Sequence, residues 1–193
     1  MQSNIEPSLE YLAMHRDKFL THMNTKMNTT FDKATVGAAI LRITKAEPQI
    51  LVLKRRDDER YYPGVFEIPG GKVDATDATV GDAVMREVAE EANLMVTSVV
   101  HPLSVITYTT TKPTADTKKK DETITHHAIQ LSYVVTVKDS TKFKVNEEEH
   151  STGMWINRGM LKDLSITDEM RGLLLEALGW GENNHYHSEV DQA

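Results

Sequence analysis

Residues 70–96 read GGKVDATDATVGDAVMREVAEEANLMV, a glycine turn, an acid-bearing loop and then a run with helical spacing. Thr79 is placed as an N-cap with Asp82 three residues on, a capping-box pattern with the shorter acid, and the spacing predicts a helix over 80–92. Asn93 follows as a terminator, since Asn tolerates a left-handed backbone. On a helix advancing about 100° per residue, Glu87, Glu90 and Glu91 fall at about 0°, 300° and 40°, so the three share one face. Val80, Val84, Val88 and Ala92 lie about a quarter turn away, and the carboxylate face therefore looks along the edge of the core, as a cleft requires.

Carboxylates this close repel by a few tenths of a kcal/mol per pair in an isolated helix. Hard divalent cations that take oxygen ligands, Mg²⁺ or Mn²⁺, are their natural partners, because they keep positions open for water or phosphate. Arg86, next to Glu87, stands to orient one of the acids. An acidic helix face alone is also what simple solvation produces. The neighbourhood gives it weight: Gly70 and Gly71 one loop earlier, Lys72 beside them, and Asp74 and Asp77 in the loop. A glycine pair brings backbone close to a metal or phosphate because no Cβ intervenes.

Outward from this stretch the chain reads as α/β. The runs TVGAAILRIT and QILVLKRR flank Lys45-Ala46-Glu47-Pro48 and predict a hairpin. VFEIPGG predicts a short strand that stops at the glycines. LMVTSVV, SVITYTT and AIQLSYVVTV predict three more strands, with the Lys-rich stretch 112–122 as a solvated loop, and Met154-Trp155-Ile156 a last short one. Helices are expected at 8–22, joined by a polar connector from Met23 to Asp32, and at 167–178. This divides the chain into an N-terminal helical extension and connector, 1–33, a main domain, 34–180, and a polar tail, 181–193.

Composition narrows the function. The chain has 193 residues, with Lys+Arg 22 against Asp+Glu 29 for a net charge of −7, which disfavours a surface that grips long DNA or RNA. The absence of cysteine removes thiolate nucleophiles, disulfide frameworks and thiolate metal sites. No run approaches the roughly 18–20 apolar residues of a membrane span, and the N-terminus lacks a secretory pattern, so a cytoplasmic protein without membrane partners is expected.

The stretch 70–96 resembles the Nudix box, G-x5-E-x7-R-E-U-x-E-E-x-G-U, where U is a bulky aliphatic residue. Read from Gly71, the resemblance sets Asp77 at the first acid, then Arg86, Glu87, Val88, Glu90, Glu91, Asn93 and Leu94. Three positions depart from the pattern: the first acid is Asp, the spacer to Arg86 is eight residues rather than seven, and the terminal Gly is Asn93. The IPGGK lead-in and the segment EEEHSTGMWI extend the likeness over about 34–163. The resemblance implies an α/β/α sandwich around a mixed sheet, here with an added N-terminal helix. It also implies Mg²⁺- or Mn²⁺-dependent hydrolysis of a nucleoside diphosphate linked to another group.

On that reading Glu87, Glu90 and Glu91 are the metal ligands, and Gly70, Gly71 and Lys72 form the loop that approaches metal or phosphate. The family takes its general base from the box or from a later loop, which leaves Asp77, Glu148 and Glu149 as candidates, Glu149 first. Arg55 at a strand end is a candidate phosphate contact, and Tyr62 and Phe66 are candidates to stack on a base. The partner is a small nucleotide or nucleotide conjugate, and a homo-oligomer is left open. The alternative is a binding module of the same fold that has lost turnover through Asp77 and the longer spacer. An isopentenyl-diphosphate isomerase relative is disfavoured because that chemistry uses a cysteine, and an mRNA-decapping relative because the chain lacks a basic stripe beyond Lys118-Lys119-Lys120.

Overall fold

The computed structural model describes residues 5–113 and 123–190. Its strands are β1 (Lys33–Ile43), β2 (Pro48–Arg55), β3 (Phe66–Glu67), β4 (Val96–Pro102), β5 (Ile106–Pro113), β6 (Thr123–Val137) and β7 (His150–Ile156). Its α-helices are α1 (Arg16–Met27), α2 (Val80–Ala92) and α3 (Asp168–Val190). The sheet runs β3-β2-β1-β6-β4, with β5 also paired to β6 and β7 to β2. Among the described residues only β1 and β6 pair in parallel, from Lys33 opposite Ala128 to Ile40 opposite Val135, so the sheet is mixed.

Both faces of the sheet are covered, and the period-2 alternation of strand side chains decides which residue goes to which side. Val36, Ala38 and Ile40 of β1, Leu51 and Leu53 of β2 and Ile129, Leu131, Tyr133 and Val135 of β6 pack with Val80, Val84 and Val88 of α2. Ala39, Leu41, Ile50, Val52 and Val134 point the other way, onto Leu173, Leu174, Ala177 and Leu178 of α3. Residues 34–41 of β1 are all buried, a largely apolar run of the kind expected of a strand covered on both faces. The architecture is the α/β/α sandwich implied by the sequence.

The hairpin of β1 and β2 forms with Leu41 opposite Ile50. Helix α2 begins and ends where the spacing places it: the Thr79 hydroxyl accepts from the Asp82 amide, and Asn93 sits at φ 53°. Elsewhere long-range contacts override the local pattern. The single N-terminal helix expected over 8–22 is instead a 3-10 turn, Leu9–Ala13, followed by α1. The break has a cause, since the Met14 carbonyl leaves the helical path to accept from the Val80 amide at 2.8 Å and satisfies the N-terminus of α2. The connector is partly helical for a similar reason: α1 continues to Met27, with Met23 buried, and the Asn24 side chain bonds both the amide and the carbonyl of Phe31.

Helix α3 also outruns the segment expected to be a tail. Trp180 stacks on His101 at 5.6 Å, Gly181 packs against Pro48, and Arg158 pairs with Glu182 at 2.9 Å, which carries the helix past residue 178 to Val190. Of the Lys-rich stretch, residues 114–122 fall outside the described residues, while 112 and 113 end β5 rather than beginning a loop. No helix among the described residues is long and apolar enough to cross a membrane.

Tyr11, Phe19 and Met23 belong to the same core as α2, so the extension is part of the scaffold that holds this helix. Phe19→Ala is expected to lower stability by about 3–5 kcal/mol, the usual range for a buried Phe truncation. Urea unfolding measures this directly, and a loss under about 1 kcal/mol would mean that the extension docks only loosely.

Candidate active site

The glycine turn lies against β1 as an irregular extra strand. Val36 donates to the Gly71 carbonyl at 2.8 Å, Ala38 to Pro69 at 2.7 Å, and Val73 back to Ala34 at 3.0 Å. The approach leaves no room for side chains. A Cβ on Gly70 would stand 2.2 Å from the Val36 carbonyl oxygen, and one on Gly71 would stand 2.5 Å from Glu87 Oε1. Gly70 thus lets the turn meet β1, and Gly71 leaves space for a carboxylate.

Helix α2 presents its acids to this turn unequally. Glu91 is 3% exposed, and its Oε2 accepts from the Gly70 amide at 2.9 Å. Glu87 is also buried, whereas Glu90 is exposed. Burial pushes the Glu91 carboxyl up to about 9, helped by the charges of Glu67, Glu87 and Glu149 and opposed by the Gly70 amide. Burial raises Glu87 too, with Arg86 opposing it.

Arg86 ties the helix to the loop. Its Nε and Nη2 donate to the two oxygens of Asp77, Nη2 also to the Lys72 carbonyl, and Nη1 to Glu87 Oε1 and Glu90 Oε2, all at 2.9 Å. Asp77 takes a further bond from the Asp74 amide at 2.7 Å. The Arg86 contact, with that amide, holds the Asp77 carboxyl below the usual carboxylate range despite burial. Lys72 lends its carbonyl to Arg86, while its ammonium sits 3.8 Å from Asp74 at the surface.

The later loop is pinned to the C-terminal end of α2. Lys144 donates to the Ala92 carbonyl at 2.9 Å and Asn146 to that of Glu91 at 3.0 Å. This places the exposed Glu149 where its charge acts on both Glu87 and Glu91. Glu148 is turned into the loop's own geometry, its amide donating to the Asn146 side chain at 3.1 Å.

Two residues of this neighbourhood escape the sequence reading. Glu67 on β3 accepts from Arg55 at 2.7 Å and meets His150 Nε2 at 3.3 Å, and its charge reaches Glu91. His150 is fully buried, and its Nδ1 has no hydrogen-bond partner. The signals present were faint: Glu67 stands in the EIPGG lead-in, and His150 directly follows Glu149. Arg55 is drawn down by burial, but the Glu67 contact and charge, with Glu59, outweigh this and raise it. Arg55, Tyr62 and Phe66, proposed separately from sequence, line one cleft of about 240 Å³ together with Glu67 and Tyr108.

Among the described residues no three His, Asp or Glu side chains converge as a ready-made metal cage. The donor chemistry nevertheless fits a hard cation. Glu87, Glu90 and Glu91 each give one oxygen to a protein donor, and among the described residues the second oxygen of each has none. Two of these carboxylates are buried among like charges, the condition that a bound divalent ion relieves.

A family model described as the NUDIX domain matches residues 33–176. The chain belongs to the NUDIX family. Nudix hydrolases generally act on nucleoside diphosphate derivatives and generally use divalent metal ions. Among curated relatives, the chain is 38% identical over 65 residues to the putative nudix hydrolase 7 of Caenorhabditis elegans, covering 32% of this chain and 22% of that protein. It spans 22% to 42% of the length of the curated relatives first matched. The fold is similar to the MutT NUDIX hydrolase of Burkholderia pseudomallei, with TM-score 0.54, 25% identity and coverage of 75% of this chain and 96% of that one. It is also similar to the NUDIX domain of Shewanella oneidensis NrtR solved with ADP ribose, with TM-score 0.55, 15% identity and coverage of 85% and 97%.

The raised Glu91 carboxyl has a consequence for stability. Its folded value of about 9 stands above the ordinary 4.5, so between those values the folded state holds more protons than the unfolded state, and stability falls as pH rises. In metal-free buffer the Tm of the wild type is expected to fall from pH 5 to pH 9 more steeply than that of Glu91→Gln. Parallel Tm profiles for the two proteins would contradict the buried, proton-binding carboxyl.

Proposed function

We propose that this chain hydrolyses a diphosphate linkage in a nucleoside diphosphate joined to another group, with Mg²⁺ or Mn²⁺ held by Glu87, Glu90 and Glu91. The observation that carries the reading is the buried Glu91 carboxylate, fixed by the Gly70 amide and faced by Glu67, Glu87 and Glu149. Such a concentration of acidic groups is costly to ionise in an isolated fold and useful where cations and phosphates meet. When bound, the divalent ion neutralises phosphate oxygens and lowers the pKa of coordinated water.

The chain's own groups then divide the work. Glu149 is the general base, because its loop docks on the C-terminal end of α2, its side chain is exposed, and its charge acts on Glu87 and Glu91. Asp77 is poorly suited to that role, since Arg86 and the Asp74 amide occupy both its oxygens and stabilise its charged form. Asp77 and Arg86 act as positioning residues that aim Glu87 and Glu90, and the Gly70 amide aims Glu91. The small-molecule partner agrees with the likeness to a domain solved with ADP ribose and with the net charge of −7.

The test is phosphate-product release from nucleoside triphosphates, ADP-ribose, dinucleoside polyphosphates, nucleotide sugars and CoA, with Mg²⁺ and with Mn²⁺. Metal-dependent turnover is expected on at least one class. Glu91→Gln is expected to reduce kcat/KM by at least ~100-fold, since even residues that merely support metal ligands cost 10–100-fold. Glu149→Gln is expected to cost about 10²–10⁴-fold, mainly in kcat, as for loss of a general base. Silence across the panel with retained ligand binding would replace the hydrolase reading with a binding module.

A further inference from the structure

We propose that the cleft beside the carboxylate cluster takes the nucleobase of the substrate and selects one that presents two adjacent N–H donors, as guanine does, with Glu169 and Gln130 as the acceptors that read it. The inference rests on the diphosphatase reading above and adds the class of base. The cleft has a volume of about 240 Å³, below the roughly 300–1,000 Å³ that encloses a whole drug-sized ligand. It suits one ring system rather than an entire conjugate.

The lining disfavours a phosphate. Glu67 and Glu169 both border the cleft. Arg55, the only cation in the lining, spends its guanidinium on Glu67, Glu59 and the Tyr61 carbonyl. A neutral planar group is favoured instead, because Tyr62, Phe66 and Tyr108 supply aromatic surface. Tyr62 is 61% exposed and held at φ 53°, a left-handed backbone that non-glycine residues rarely adopt. The fold thus tolerates strain at an exposed aromatic residue that lines this cleft.

The polar groups give the cleft a sign. Gln130 Nε2 donates to Ser132 Oγ at 3.1 Å, which orients the amide and leaves Oε1 as its acceptor. Gly37 on the neighbouring strand keeps that arrangement possible, since a Cβ there would lie 3.1 Å from Gln130 Nε2 and 2.9 Å from Ser132 Oγ. Glu169, exposed in the first turn of α3, is acceptor-only when ionised. Guanine answers these two acceptors with its ring N1–H and exocyclic amino group side by side. Adenine and cytosine set one amino group beside a bare ring nitrogen, and uracil sets one N–H between two carbonyls.

The experiment is calorimetric titration of the full chain with GMP, AMP, CMP and UMP, in metal-free buffer and again with Mg²⁺, for the wild type, Glu169→Ala and Gln130→Met. The wild type is expected to bind GMP at least about five-fold more tightly than the other three, the effect of one or two net hydrogen bonds. Glu169→Ala, an exposed position that leaves the core untouched, is expected to bring the ratios toward one, and Gln130→Met to reduce them independently. Equal affinities in the wild type, or a GMP preference that survives both substitutions, overturns the proposal. A base preference that collapses as expected in a protein silent on the hydrolysis panel removes the diphosphatase and keeps the base pocket. Turnover of diphosphates with no base preference does the reverse.

Discussion

The site depends on how Arg86 spends its donors. A guanidinium has five N–H groups in a rigid fork, and here they meet two oxygens of Asp77, the Lys72 carbonyl, Glu87 and Glu90. One side chain therefore joins the loop of 72–77 to the carboxylate face of α2 and holds mutually repelling acids in place. A lysine has the charge but not the fork, so the exchange is not conservative here. The two departures from the family pattern in this loop meet at the same knot. Asp77 is shorter than Glu and the spacer is one residue longer, yet Asp77 still reaches Arg86 with both oxygens at 2.9 Å.

Arg86 does not neutralise the cluster. Glu91 receives a backbone amide rather than a cation, and its carboxyl is pushed up to about 9. Arg55 is engaged by Glu67 and Glu59 on the far side. The protein by itself thus gathers more acidic groups here than cations, and it does so in a partly buried place. Local rules of foldability are broken chiefly at functional or strained sites, which is why the misfit is informative about function.

Legibility from sequence follows the range of the forces involved. Helix α2, its Thr79 cap and its Asn93 end were readable because each rests on neighbours within a few residues. The break at Met14 was not, because the Val80 amide that draws its carbonyl away lies 66 positions later in the chain. The extension of α3 depends on Trp180 stacking against His101, a contact across 79 positions of the chain. The acids of α2 were found together because helical spacing shows them together. Glu67 and His150 were missed because they come from β3 and β7, which flank β2 on opposite edges and carry no local sign of meeting.

The same contacts explain why one helix can hold this chemistry rigidly. At its N-terminal end, α2 is met by the extension, through the Met14 carbonyl and Leu12 packed by Gly81. In its middle, Val84 and Val88 are fully buried against the sheet while Arg86 grips the loop from the other face. At its C-terminal end, Lys144 and Asn146 take the carbonyls of Ala92 and Glu91, which a free helix leaves unpaired. That last contact is also what delivers Glu149. The helix end that needs donors thereby recruits the loop that carries Glu149, the base proposed above, so capping the helix and bringing that loop to the carboxylates are one structural event.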